Sequence, residues 1–226
     1  MAMSADRRLD APRIGLLGTS AMLFDAPGAF DLTVQQRIWA MAREAALWPE
    51  VLEAMPGMTN LMLTFATPPT DPAALQARLL RSWEASEPQP AADSKLVEIP
   101  VIYGGERGPD LASVAAQAGL TPTEAAELHA AADYVVYTVG SSPGFGYLGG
   151  LNEQLFVPRR AVPLLWAGGG SVMIAGQQAG VTTAGGPTGW HVLGHSTAPL
   201  FDAMRNPPAL LRAGDRVRFR IAGIEA

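Results

Sequence analysis

SSPGFGYLGGL (Ser141–Leu151) and AGGGSVMIAGQQAGVTTAGGPTGW (Ala167–Trp190) decide how the second half of the chain can fold. Glycine inside a helix costs about 1 kcal/mol relative to alanine, so segments this rich in glycine and proline exclude a long helix. The apolar runs between and beyond them are strand-sized: Leu155 to Val157, Ser171 to Ala175, Trp190 to Leu193 and Val217 to Ile221. Short apolar runs punctuated by glycine and proline predict a small all-β barrel or sandwich with long functional loops.

Upstream, the pattern is mixed. Asp133 to Val139 is β-branched and alternating, as in a buried strand, and Leu96 to Tyr103 is strand-like. Between them lies a helix over Pro109 to Gln117 ended by Gly119, then a second short helix opened by a Thr121/Glu124 capping box. SEPQPAADSK (86–95) is polar, has two prolines and no periodicity, and reads as a linker. Before it, Arg13 to Gly18, Ala21 to Ala26 and Leu61 to Phe65 read as strands. Asp31 caps a helix running to about Leu47, with Val34, Ile38, Met41 and Ala45 on one face and Pro49 beyond its end. Asp71-Pro72 starts another, with Leu75, Leu79, Leu80 and Trp83 at helical spacing. The expected class is α+β: an N-terminal α/β sandwich domain (1–85), a linker (86–95) and a β domain (96–226).

Bulk composition narrows the function classes. The 226 residues are 48% hydrophobic and 16% charged, as in ordinary globular proteins. No apolar run is long enough to cross a bilayer, the opening MAMSADRRLDAP lacks a signal-peptide core, and the cytoplasm is the expected location. The absence of cysteine excludes disulfides, thiolate catalysis and cysteine-bearing zinc sites. A net charge of −5 with scattered arginines argues against nucleic acid. Lys95 is the only lysine and stands in a polar, proline-flanked segment, which leaves no residue for a Schiff base, a P-loop or a biotin attachment.

Several motifs compete for the chemistry. Gly144-Phe-Gly146-Tyr-Leu-Gly149 matches a dinucleotide fingerprint in letters only, since Pro158 follows where a helix should run and no acidic residue stands at the ribose position. The same loop could be a plain turn. Phe145 and Tyr147, alternating with glycines, favour a binding surface with stacking area and free amides. In the second glycine segment Ser171, Gln177, Gln178, Thr182 and Thr183 can orient an amide or carboxylate but cannot act as strong acids or bases near neutral pH. His191 and His195 lie on one strand face without a nearby carboxylate, so no metal site is expected. His129, near a helix end, reads either as a structural cap or as the best general acid or base.

YGGERGPDL (103–111), ELHAAADYVVYTVGSSPGFGYLGGL (127–151), VPRR (157–160), AGGGSVMIAGQQAGV (167–181), TGWHVLG (188–194) and LLRAGDRVRF (210–219) together resemble the KipI family, also called allophanate hydrolase subunit 1 or the 5-oxoprolinase B subunit. The resemblance implies an N-terminal α/β domain followed by a cyclophilin-like β-barrel, working with a homologous larger subunit (like allophanate hydrolase subunit 2 or the 5-oxoprolinase C subunit) and a third subunit. It implies a hydrolase, active only in that assembly, that opens the cyclic amide 5-oxoproline to glutamate. ATP is used by the complex and no cofactor is bound covalently. Two further activities occur in the family: inhibition of a histidine kinase, and a carboxyltransferase role in urea carboxylase-like systems. Carried onto matching positions, the catalytic residues are His129 as acid or base, Asp110 orienting it and Arg159 for an anion. The substrate-binding residues are Tyr103, Pro143, Gly144, Phe145, Tyr147, Gly149, Ser171 and Gln177. The sequence departs from the family pattern at Gln178, Ala179, Thr188, His191 and His195, which bears on the substrate.

Overall fold

The computed structural model describes residues 9–91 and 93–225, so the reading of the first eight residues lies outside it. Contacts divide the chain into two units between residues 92 and 93.

In the first unit, β1 (Arg13–Leu17), β2 (Ala21–Asp25), β3 (Glu53–Pro56) and β4 (Asn60–Thr64) form an antiparallel sheet in the order β1-β2-β4-β3. Period-two alternation turns Met22 and Phe24 of β2 and Leu61 and Leu63 of β4 inward. Against them pack α1 (Leu32–Ala45), through Ile38, Met41 and Ala45, and α2 (Pro72–Ala85), through Leu75, Leu79 and Trp83. Both helices start where aspartate can cap them: Asp31 accepts from the Val34 amide at 2.8 Å and Asp71 from the Ala74 amide at 2.9 Å. Two residues of the segment read as a linker are tied to α1. Arg37 donates to the Ser86 carbonyl and Arg43 to the Gln89 side chain.

The second unit is a closed seven-strand barrel in the order β10-β7-β6-β13-β5-β12-β9. Its strands are β5 (Leu96–Gly104), β6 (Tyr134–Val139), β7 (Gly146–Gly149), β9 (Ser171–Ala175), β10 (Gln178–Val181), β12 (His191–His195) and β13 (Arg216–Glu225). The first and last of these pair in parallel, with a bulge at Ala222. β12 reaches β5 only at Ile102 and Tyr103, so Pro100 sits where its strand is unpaired on that side. Two helices precede β6. α3 (Leu111–Ala118) ends at Gly119 in the left-handed conformation, and α4 (Pro122–Ala131) carries the Thr121/Glu124 capping box.

Two readings need correction. Leu155–Val157 is not a strand: Glu153–Leu155 is a single 3₁₀ turn, capped by Asn152, and Val157 makes one isolated bridge to Gly176. The Ser141–Leu151 loop contains a barrel strand, β7, because Tyr147 and Leu148 alternate between glycines small enough for close strand approach. A two-stranded ribbon of β8 (Leu164–Ala167) and β11 (Gly186–Thr188) stands outside the barrel sheet.

Strand β9 is buried along its whole length. Val172 and Ile174 face the barrel core, whereas Met173 and Ala175 join Phe145, Ala167, Trp190 and Val192 in a second apolar cluster on the other side. A strand covered on both faces reads as a continuous apolar run, as SVMIA does. That second cluster floors the candidate site. No helix among the described residues is long and apolar enough to cross a membrane.

Candidate functional site

Above the second cluster opens a cleft of about 290 Å³ whose walls are the two glycine segments. Phe145, Tyr147 and Trp190 meet edge to face, with centroids 4.8 Å apart for Phe145–Tyr147 and 6.0 Å for each ring to Trp190. The Ser142 and Thr183 hydroxyls, 3.1 Å apart, tie the two glycine loops together. Thr188 donates to the Met173 sulfur and accepts from the Trp190 amide, which fixes the indole over the floor. Ser142, Thr182 and Thr188 supply hydroxyls to the lining, and at Gly186, which pairs with Ala167, an added Cβ would meet nothing within 4 Å, so there is space beside it for a ligand.

Arg159 is the charge of this cleft. Its guanidinium lies 5.8 Å from the Trp190 ring centroid, a contact worth about 0.5–1 kcal/mol, and has no carboxylate partner among the described residues. Its neighbour behaves oppositely. Arg160 forms an ion pair with Asp110, whose second oxygen accepts from the Val192 amide at 2.8 Å. The Arg160 amide donates to the Gly189 carbonyl, and His191 Nε2–H donates to the Pro158 carbonyl at 3.0 Å. Adjacent arginines are therefore divided, one holding the segment in place and the other free to meet an anion.

The structure brings Phe145, Tyr147 and Arg159 together at the cleft. The other candidates lie elsewhere. His129 is wholly buried in the barrel core, with Nδ1 2.8 Å from the Tyr103 hydroxyl and its ring 4.7 Å from that of Phe219. Burial lowers its pKa to about 3 and pushes that of Tyr103 up, so both are neutral. His129 Nε2 has no hydrogen-bond partner among the described residues, and Asp110 does not orient this ring, because both its oxygens serve Arg160 and β12. The sequence places Asp110 and His129 in flanking helices, but burial of one face of α4 sends the imidazole into the core.

Gly144 and Gly149 serve internal packing. A Cβ on Gly149 would lie 2.4 Å from the Tyr137 ring, and one on Gly144 2.9 Å from Phe201 Cβ. Pro143 is exposed in the same loop. Ser171 donates to the Gly168 carbonyl at 2.8 Å and lines a different cleft, beside Arg107 and His195, whose Nε2–H donates to the Gly169 carbonyl. Gln177 occupies the β9–β10 turn. Of the departures from the family pattern, only Thr188 lines the Arg159 cleft, while Ala179 is buried between β7 and β9. Trp190, Ser142 and Arg160 go unremarked as candidates in the sequence; the one signal for Trp190 is an aromatic closing a glycine run.

Among the described residues no group of three or more acidic, histidine or cysteine side chains is placed to hold a metal ion. Comparison with known proteins bears on most of the chain. The family described as "Carboxyltransferase domain, subdomain C and D" matches residues 12–211. The B subunit of 5-oxoprolinase from Escherichia coli O157:H7 is 46% identical over 209 residues, covering 92% of this chain and 94% of its own. Among solved structures, TTHA0988 superposes with a TM-score of 0.72 at 33% identity over 89% of this chain, which spans 39% of that longer one. PH0987 from Pyrococcus horikoshii, a conserved uncharacterized protein, gives 0.56 at 31% identity, covering 93% of this chain and 98% of its own.

Proposed function

The chain belongs to the carboxyltransferase-domain family, subdomains C and D, and on that premise we propose that it is the B-type subunit of an ATP-dependent 5-oxoprolinase, opening 5-oxoproline to glutamate together with partner subunits. The near full-length likeness to the B subunit of a 5-oxoprolinase is the observation that carries this reading. The barrel is inferred to be of the cyclophilin-like kind. The setting is proposed to be the cytoplasm, with which a fold that needs no disulfides is compatible.

The cleft suits that substrate. Arg159 offers a planar pair of donors to a carboxylate, Phe145, Tyr147 and Trp190 offer faces and edges to a five-membered ring, and the hydroxyls of Ser142, Thr182 and Thr188 can meet the lactam carbonyl and N–H. In the reaction water adds to the lactam carbonyl, the C–N bond breaks, and nitrogen leaves as the amine of glutamate. That step needs a general base and acid. Among the described residues the cleft lining holds no carboxylate or histidine, and hydroxyls and arginine cannot do this work near neutral pH. The chain therefore binds and orients, and a partner completes the site. One cation without a carboxylate to hold Mg²⁺ does not fit a nucleotide triphosphate, so this cleft is read as the site of the amide and not of ATP.

The test is co-expression with the companion subunits of the same genome and measurement of glutamate released from 5-oxoproline with and without ATP. Absence of ATP-dependent release from a stably assembled complex would sink the reading. The family description favours a second reading, a carboxyltransferase component for urea or another amide. Urea-dependent and biotin-dependent turnover by the same complex, in place of glutamate release, would establish it instead.

A further inference from the structure

From Ala161 to Trp190 the sequence contains no acidic, basic or histidine residue. Much of this stretch is at the surface. Val162 is 76% exposed, Leu165 92% and Trp166 70%, and they sit on or just before β8 of the β8–β11 ribbon. Single exposed apolar residues are ordinary, but three large ones within five consecutive positions, with Leu165 and Trp166 presenting the two faces of one strand and no charge in the stretch, have the composition of an interface centre. Pro163 precedes β8 and Pro187 lies in β11, where a missing N–H discourages addition of a further strand, so the ridge offers side chains rather than a sheet edge. The ridge also borders the site. Gly185 lines the Arg159 cleft, and a Cβ there would meet the Trp166 indole at 2.2 Å, while Trp166 itself lines the adjoining cleft beside Arg107 and His195, so whatever covers Trp166 lies next to both clefts.

We infer that the β8–β11 ribbon is the docking surface for a second, different subunit, one equivalent to the part of TTHA0988 that extends beyond the region matched here. This rests on the proposed function, because it is that reaction which leaves the cleft short of an acid and a base. TTHA0988 carries the equivalent of this chain as 39% of a longer polypeptide, whereas PH0987 is nearly all this region, so the same unit exists alone and attached to more protein. A second copy of this chain, docked ribbon to ribbon, would lay one charge-free ribbon against another. A different chain supplies both the apolar counterface and the missing chemistry.

The test uses the full chain and the same-genome polypeptide homologous to the remainder of TTHA0988. Leu165→Glu places a carboxylate on the ridge without touching the core, and Leu47→Glu, at an 83% exposed position of the N-terminal unit, is the matched control. Unchanged circular dichroism and melting temperature certify both folds. Affinity, measured by calorimetry, is expected to fall at least about tenfold for Leu165→Glu and to stay unchanged for Leu47→Glu. Equal affinity for wild type and Leu165→Glu overturns the proposal, as does no binding by wild type. A free chain that is dimeric, and becomes monomeric on Leu165→Glu, overturns it in favour of self-association. If the pair binds through Leu165 yet the full complex leaves 5-oxoproline intact, the docking surface stands and the proposed activity fails. If turnover is present but Leu165→Glu leaves affinity unchanged, the reverse holds.

Discussion

Replacing His129 by leucine should remove a large part of the acid sensitivity of the barrel. In the folded chain burial holds this imidazole at a pKa of about 3, against 6.5 for the free side chain. Below pH 6.5 the unfolded chain takes up a proton that the folded one refuses, so the unfolded state binds more protons and stability falls as pH falls. The slope approaches about 1.4 kcal/mol per pH unit, which amounts to roughly 2 kcal/mol by pH 5 relative to pH 8. The full contribution is present above pH 6.5, and the loss continues until pH approaches 3. His129→Leu leaves the Tyr103 hydroxyl without its partner, a pH-independent cost of about 1–3 kcal/mol, so the comparison is of slopes and not of absolute stabilities. Pairing it with Tyr103→Phe removes that orphan as well. Urea midpoints read by hydrogen-exchange mass spectrometry on peptides from β6 report the barrel separately from the N-terminal unit. Equal pH slopes for wild type and variant between pH 7 and 5 would refute the reasoning and return His129 to the list of accessible acid–base groups.

Three further outcomes are expected. Arg159→Ala should lower kcat/KM of the assembled complex for 5-oxoproline about 10- to 100-fold, mainly through KM, with Arg159→Lys recovering only part because an ammonium lacks the planar fork; steady-state kinetics decide it. Asp110→Asn should destabilise the barrel by about 2–3 kcal/mol in urea titrations, since Arg160 loses its carboxylate in a mostly buried setting, and should raise KM through the displaced Arg159 segment while leaving the pH profile of kcat unmoved. Gly150→Ala should cost about 3 kcal/mol, because φ there is +106° and the new Cβ would lie 2.4 Å from the Asp133 carbonyl oxygen; a melting temperature equal to wild type would show that the turn relaxes freely.

Much of the local structure was legible. Asp31, Asp71 and the Thr121/Glu124 pair announce helix starts because a side chain three residues from an orphan amide satisfies it whatever the rest of the chain does. The β character of the second half followed from glycine frequency. Less legible were the short strands β3, β7, β8, β10 and β11, whose three or four residues carry too little periodicity to stand out. His129 was ambiguous from the start: a histidine near a helix end can cap or catalyse, and only the packing of α4 against β13 decided for the core.

By itself, then, the sequence determined the secondary-structure character of the two halves, the absence of cysteine and lysine chemistry, and the family, since each depends on residue type and order along the chain. The tertiary structure alone decided which side chains share a site. Arg159 and Trp190 are far apart in sequence and adjacent in space; Asp110 and His129 are close in sequence and part company, one bound to Arg160 and the other sealed in the barrel. The physical reason is that barrel closure sets strand neighbours by register and burial, and no local pattern encodes which of two consecutive arginines will find a buried aspartate and which will be left facing the cleft.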